Sequence, residues 1–184
     1  MSSYQMPDPD KLQILLTGLL ANDVTAETCT DFSIDSLSAV AVYESASGQI
    51  RAGCICDIRL ANFLGAALAM IPIKQAQNAA DSGVLPENSG ENLREVLNIA
   101  SRLFIKIDSP CLNLRDFYTP GDKAAPGLHE MMKSMSNILP LEVTVDKYGS
   151  GKMSFFLDLL ENGNPLQLPD HGYFNQNGFD IRTH

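Results

Sequence analysis

Two β-hairpin signals enclose a long helical stretch, and this order of elements constrains the fold more than any other feature of the chain. The first signal joins the apolar runs 37–43 and 49–58 across a Ser/Ala/Gly turn. The second joins the runs 141–147 and 152–159 across Tyr148-Gly149-Ser150-Gly151. Helical sequence between two hairpins is neither a repeated βαβ pattern nor an all-β pattern. It therefore favours an antiparallel or mixed sheet with helices packed against it.

The helical segments complete this α+β order. An N-terminal helix is predicted over 11–20, where the acidic segment Asp8-Pro9-Asp10 precedes an apolar run. An Ala- and Leu-rich helix is predicted over 60–80, which Pro72 must break, kink or restart. A further helix follows Asn88, a candidate N-cap residue with Glu91 at the capping-box position. The predicted fold is α+β, with a largely antiparallel sheet and long helices packed on one face.

The helix over 91–104 has two distinct stripes. Its apolar residues recur at i, i+3, i+4 and i+7, which predicts one buried face made of Leu93, Val96, Leu97, Ala100, Leu103 and Phe104. Its polar stripe is spaced i, i+4, i+7 and i+11 and consists of Glu91, Glu95, Asn98 and Arg102. Asn98 is a poor helix former in mid-helix, because its amide competes for backbone hydrogen bonds. On spacing alone, the stripe is either a solvated face or a functional one.

Composition and charge narrow the class of protein. The chain has 184 residues, 45% of them hydrophobic and 19% charged, and a formal net charge of −9. No cluster of Lys and Arg is present, so nucleic-acid and anionic-membrane binding are not expected, and a partner with basic groups is favoured. The apolar run 12–20 is too short and interrupted for a transmembrane span, and the first residues are not typical of a signal peptide. A cytoplasmic location is therefore expected.

The cysteines and histidines do not form a metal-binding pattern. Cys54 and Cys56 lie in one apolar run and would share a face of a strand. Cys29, Cys111 and the three histidines are far from them in sequence, whereas zinc sites use closely spaced ligand pairs. We expect buried free thiols and no metal or cofactor of the chain's own. Motifs for serine nucleophiles, phosphate loops, dinucleotide binding and zinc proteases are absent from the sequence.

The segment Glu95-Val96-Leu97-Asn98 carries a family resemblance. The chain resembles the CheC/CheX family of chemotaxis phosphatases, and most of all its single-site CheX-like members, which carry Glu-x-x-Asn on a helix. The preceding elements also resemble the family, since the second hairpin strand, 50–56, leads into the Ala-rich helix at 61–70. The resemblance implies one CheX-like domain over 1–160, with 161–184 as a C-terminal tail or arm.

The resemblance also implies an activity and a site. Family members hydrolyse the aspartyl phosphate of a response-regulator receiver domain in signal transduction. Asn98 and Glu95 would then be catalytic, with Asn98 orienting a water in line with the phosphorus and Glu95 pairing with the receiver's lysine. Glu91, Arg94 and Arg102 are the expected partner-binding residues. The receiver would hold the Mg²⁺ ion, so no cofactor is expected in this chain. A homodimer is compatible with the resemblance.

Two alternatives stay open at the level of sequence. The first is a catalytically silent CheC-like fold that binds a receiver or another signalling protein. It is favoured by departures from the family pattern: Glu91 where Asp or Ser is usual, Ser101 and Arg102 in place of a small Gly, and a slightly shorter spacing to Pro120. The second alternative is an unrelated α+β domain with a small-molecule pocket or a structural role.

Overall fold

Six strands form one antiparallel sheet in the computed structural model of the chain, which describes residues 4–30, 37–107, 109–122 and 137–157. The strand order is β1-β5-β6-β3-β2-β4, and every pairing is antiparallel. This confirms the predicted α+β class. In chain order the elements are α1 (Pro9–Leu20), β1 (Val24–Thr28), β2 (Ala39–Glu44), β3 (Ile50–Cys56), α2 (Ile58–Leu68), α3 (Ile73–Ser82), α4 (Glu87–Ala100), a 3-10 turn (Ser101–Phe104), β4 (Asn113–Tyr118), β5 (Asn137–Val145) and β6 (Gly149–Leu157).

The helices pack on one face of the sheet, as predicted. Ala41, Cys54 and Phe155 stand side by side on neighbouring strands. They belong to one buried cluster with helix residues such as Leu64 and Leu97. Because side chains alternate across a strand, the residues between them point to the other face of the sheet. The core therefore lies between the sheet and the layer formed by α1, α2 and α4.

Asp57 fixes α2 to the sheet at its first turn. One carboxylate oxygen accepts a hydrogen bond from the Leu60 amide at 2.7 Å and caps the helix, and the other accepts from the Lys152 amide of β6 at 2.7 Å. A Cβ at Gly151 would lie 2.6 Å from the Leu60 nitrogen and 2.7 Å from the Asp57 carboxylate. Glycine is thus required at 151 for close packing of helix and strand.

Both predicted hairpins are present, but the second turns earlier than expected. Its turn is Asp146-Lys147-Tyr148, and the following residues Gly149, Ser150 and Gly151 already pair in β6. The glycines were expected in the turn because Gly is typical there. They also make room for α2, since a Cβ at Gly149 would lie 2.9 Å from the Phe63 ring, and Gly149 has a φ of 138°, which favours glycine.

Two further elements differ from the sequence prediction. Strand β1 was not predicted, since its sequence Val-Thr-Ala-Glu-Thr has few apolar residues. It is an edge strand that buries Val24 and Ala26 alone and leaves Thr25 and Glu27 exposed. The helical stretch 60–80 is two helices, and the second restarts directly after Pro72.

The helix α4, which carries Glu95 and Asn98, also begins and ends earlier than predicted. It begins at Glu87 with Pro86 at the N-cap, and the predicted cap is wrong, because Asn88 lies inside the helix and its side chain accepts from the Ser89 amide. It ends at Ala100, after which the chain tightens into the 3-10 turn. The predicted tail at 161–184 lies outside the described residues, so the domain boundary near 160 stays a prediction.

Candidate partner-binding site

The exposed face of α4 carries the residues that the sequence singles out. Glu91, Arg94, Glu95 and Asn98 are all exposed. The opposite face is buried and consists of Ser89, Gly90, Leu93, Val96, Leu97 and Ala100. The amphipathic prediction for this helix is therefore correct. Glu95 and Asn98 are three residues apart, so their side chains are neighbours on the helix surface.

The charges on this face have no ion-pair partner within the described part of the chain. Arg59 of α2 pairs with Asp81 at 2.8 Å, and Arg115 of β4 lies 3.5 Å from Glu44. Arg94 and Glu95, in contrast, make no ion pair with any described residue, and the same holds for Glu87, Glu91 and Arg102. Both signs of charge are thus available on α4 for a second molecule.

The N-terminal half of α4 is held close to α2. A Cβ at Gly65 would overlap the carbonyl oxygen of Ser89, so the two helices approach at backbone distance. The buried amide of Asn62 donates to the Val84 carbonyl at 2.9 Å, just before α4, and to the Ile58 carbonyl at 3.0 Å. These contacts fix where α4 begins.

The C-terminal half of α4 is held to the sheet by Tyr43. Its buried hydroxyl donates to the Leu97 carbonyl at 2.8 Å, directly beside Asn98. The ring centroids of Tyr43 and Phe104 lie 5.5 Å apart. The ring centroids of Phe104 and Phe155 also lie 5.5 Å apart, and these two rings meet edge to face. The turn that carries Asn98 is therefore anchored in the core, while its own side chain stays exposed.

Replacing Tyr43 by phenylalanine should lower the free energy of unfolding by about 1 to 2 kcal/mol near neutral pH, because one buried hydrogen bond is lost and the ring contacts are kept. Burial raises the pKa of Tyr43 well above 10.0. Native stability should thus decline as the pH rises above 10.0, where the unfolded phenol ionises and the buried one does not. The phenylalanine variant lacks the part of this decline that Tyr43 contributes, so the difference between the two proteins should shrink in urea titrations at alkaline pH. A constant difference across this range would contradict a buried, protonated phenol.

Arg102 is exposed but does not continue the helical stripe. It lies in the 3-10 turn after α4, where the Ser101 hydroxyl donates to the Asn98 carbonyl at 2.7 Å. The predicted i+11 position assumed an unbroken α-helix through 104, and this is wrong because the helix ends at Ala100. Arg102 stays next to the Asn98 turn in the chain, at the end of the exposed face.

An open groove lies along the N-terminal half of the same helix. It has a volume of about 370 Å³, a floor of Leu85, Pro86, Gly90, Phe117 and Thr119, and a rim of Glu87, Glu91 and Arg94. Two of the predicted partner-binding residues, Glu91 and Arg94, thus lie at one concave surface. The groove itself was not predicted, because Phe117 of β4 and Thr119, directly after β4, are distant from α4 in sequence. An apolar residue pointing off an edge strand is too weak a signal to reveal it.

The cysteines fulfil their prediction in part. Cys54 and Cys56 are fully buried on the helix side of β3. A hydrogen bond with Cys54, together with burial, raises the pKa of the Cys56 thiol well above its ordinary value. Cys111 is exposed and Cys29 half-buried, so the expectation of burial is wrong for Cys111. The described ranges contain no cluster of three or more His, Cys, Asp or Glu side chains placed to hold a metal ion. They also contain no helix with the length and hydrophobicity needed to cross a membrane.

Comparisons with known proteins find matches among solved structures alone, at low sequence identity. No family model matches the sequence, and no curated protein matches it. Among solved structures, FliY of Thermotoga maritima matches with 13% identity and a TM-score of 0.47 over 80% of this chain and 82% of that one. The middle domain of FliM from H. pylori matches with 10% identity and a TM-score of 0.45 over 81% and 84%.

A CheX protein is also among the matched structures, as the sequence resemblance leads us to expect. It is the CheX-CheY-BeF3-Mg²⁺ complex from Borrelia burgdorferi, matched with 10% identity and a TM-score of 0.43 over 83% of this chain and 99% of that one. Similarity at this level of identity describes the course of the chain and not an activity.

Proposed function

We propose that this chain binds a phosphorylated receiver domain through the exposed face of α4 and hydrolyses its aspartyl phosphate. The observation that carries the proposal is the exposure of Glu95 and Asn98, adjacent on a helix that is anchored at both ends. Fixed placement matters because phosphoryl transfer to water requires positioning far more than it requires covalent chemistry from the protein.

Asn98 is the proposed water-positioning residue. Its side-chain carbonyl accepts a hydrogen bond from a water molecule lying in line with the phosphorus, opposite the aspartyl oxygen. The water oxygen bonds to phosphorus as the bond from phosphorus to the aspartyl oxygen breaks, which releases inorganic phosphate and restores the carboxylate. The receiver supplies the Mg²⁺ ion and the lysine around the phosphate, so this chain supplies geometry.

Glu95 is the proposed binding residue next to it. Its carboxylate pairs with the receiver's lysine in a charge-assisted hydrogen bond and fixes the register of the two proteins. Glu95 has no ion-pair partner among the described residues, so docking need not break an existing pair. Because a receiver domain is part of a signalling protein, we also propose the cytoplasmic location that the sequence predicts. The homodimer stays a prediction.

Replacing Glu95 by alanine should weaken receiver binding and turnover together by about tenfold or more, since a charge-assisted hydrogen bond contributes about 1.5 to 3 kcal/mol. The measurement is phosphate release from receivers of the same genome, phosphorylated with acetyl phosphate, together with the affinity for their beryllofluoride forms. Glu142→Ala is the matched control, since it removes an exposed carboxylate from β5 and should change neither quantity. Full activity of the Glu95 variant would end the assignment.

The second candidate function is receiver binding without hydrolysis. Arg102 favours it, because this exposed side chain has no ion-pair partner among the described residues, follows the Asn98 turn directly and is long enough to occupy space that a partner must enter. The two candidates differ in one result: both predict binding of the beryllofluoride form, and the phosphatase alone predicts release of phosphate.

A further inference from the structure

We infer that the groove beside α4 receives an apolar side chain of the docked receiver, with a lysine or arginine of the receiver next to it. This inference rests on the proposed function and adds to it a second contact, made beside the N-terminal half of α4, where Glu91 and Arg94 of the exposed face border the groove. The contact would set affinity and partner choice, while Asn98 acts on the reaction itself.

The groove is close enough to Asn98 to be covered by any receiver that reaches that residue. Gly90, at the groove floor, precedes Asn98 by eight residues, which is about 12 Å along the helix axis. A standard protein interface covers about 800 Å² on each partner, equivalent to a patch of roughly 16 Å radius. An interface centred on Asn98 therefore extends over the groove, which must be filled by the partner or hold water.

The chemistry of the floor favours an apolar side chain over a small polar ligand. Leu85, Gly90 and Phe117 offer the floor no polar side-chain group. The one hydroxyl, that of Thr119, donates to Asp122 at 3.1 Å, and the Thr119 amide donates to the same carboxylate at 2.5 Å. Small-molecule sites use several converging polar groups, whereas interface pockets take single apolar anchors.

The rim selects the charge of the neighbouring partner residue. Glu87 and Glu91 stand one helical turn apart, and Arg94 is the one cation among the groove-lining residues. Two carboxylates and one guanidinium make the rim negative on balance. None of the three side chains has an ion-pair partner within the described ranges, so all three charges are available to a partner. A lysine or arginine beside the apolar anchor would pair with these carboxylates, and its binding would weaken with added salt.

Gly90 permits a test that leaves every charged group in place. A Cβ added there would lie 3.7 Å from Leu85 Cδ2 and 3.8 Å from Thr119 Cγ2, which are ordinary contacts. Gly90→Ala should therefore be tolerated and serves as the matched control. Gly90→Leu fills the groove, and we expect it to weaken binding of the beryllofluoride-loaded receiver at least tenfold while the turnover of bound, phosphorylated receiver stays within about twofold.

A double variant gives a second test that does not depend on whether Gly90→Leu folds. Glu87→Lys with Glu91→Lys reverses the rim and should weaken binding most at low salt, with an unchanged circular dichroism spectrum. Unchanged affinity in a folded Gly90→Leu protein would overturn the groove assignment, and so would loss of binding in Gly90→Ala. If Asn98→Ala still abolishes turnover in that case, the proposed function survives. Failure of every receiver to bind the unaltered chain would overturn both.

Discussion

Replacing Asn98 by alanine should leave the affinity for a phosphorylated receiver nearly unchanged and reduce turnover at least about tenfold. The reason is that a water-positioning amide acts in the transition state and contributes little to the bound ground state. Asn98 is exposed, and its loss uncovers no buried group, so the fold should tolerate the change. The measurement is single-turnover release of phosphate at saturating enzyme, which separates chemistry from binding.

Asn78→Ala provides the control for this result. It removes the same amide from an exposed position on α3, on a different helix. It should retain full turnover, because no proposed contact involves that helix. Equal turnover in the two variants would remove Asn98 from the mechanism, whatever the affinity.

The second large effect concerns stability. Replacing Gly65 by alanine should lower the free energy of unfolding by about 3 kcal/mol, since the new methyl group overlaps the backbone of Ser89 and cannot be relieved by a side-chain rotation. Either α2 or α4 must shift, and the site on α4 shifts with it. Urea unfolding followed by circular dichroism measures the loss.

At a second helical glycine, replacement by alanine should raise the free energy of unfolding instead of lowering it. Gly18 lies in α1, and a Cβ there would have no heavy atom of the described residues within 4 Å beyond its chain neighbours and the backbone of its own helix. Gly18→Ala should therefore stabilise the protein by about 0.5 to 1 kcal/mol through helix propensity and the unfolded chain. If Gly65→Ala were also stabilising, the close approach of α2 and α4 would be wrong.

Local periodicity was enough to predict the elements near the site. The alternation of Leu93, Val96, Leu97 and Ala100 with exposed polar residues predicts both the helix and its orientation, because each helix position is decided by neighbours within a turn or two. The hairpins were predictable for the same reason. Strand β1 was not, since an exposed edge strand keeps few apolar residues and its pairing with β5 is distant in sequence.

Long-range packing explains the remaining errors. Gly149 and Gly151 suggest a turn, yet both lie in β6, where a Cβ would meet Phe63 at position 149 and Asp57 and Leu60 at position 151. The end of α4 also depends on contacts between residues distant in sequence, since the Tyr43 hydroxyl donates a hydrogen bond to the Leu97 carbonyl. The groove needs β4 to lie beside α4. None of these contacts leaves a pattern within a short window of sequence.

Phosphate release by the unaltered chain, with phosphorylated receiver in large excess, tests the central claim most directly. Each chain acts repeatedly in the proposed mechanism, so the rate of release should rise in proportion to the amount of chain, and each chain should release many phosphates. A receiver that binds the chain in its beryllofluoride form, yet loses phosphate no faster with the chain than without it, would contradict the phosphatase and leave a silent binding protein.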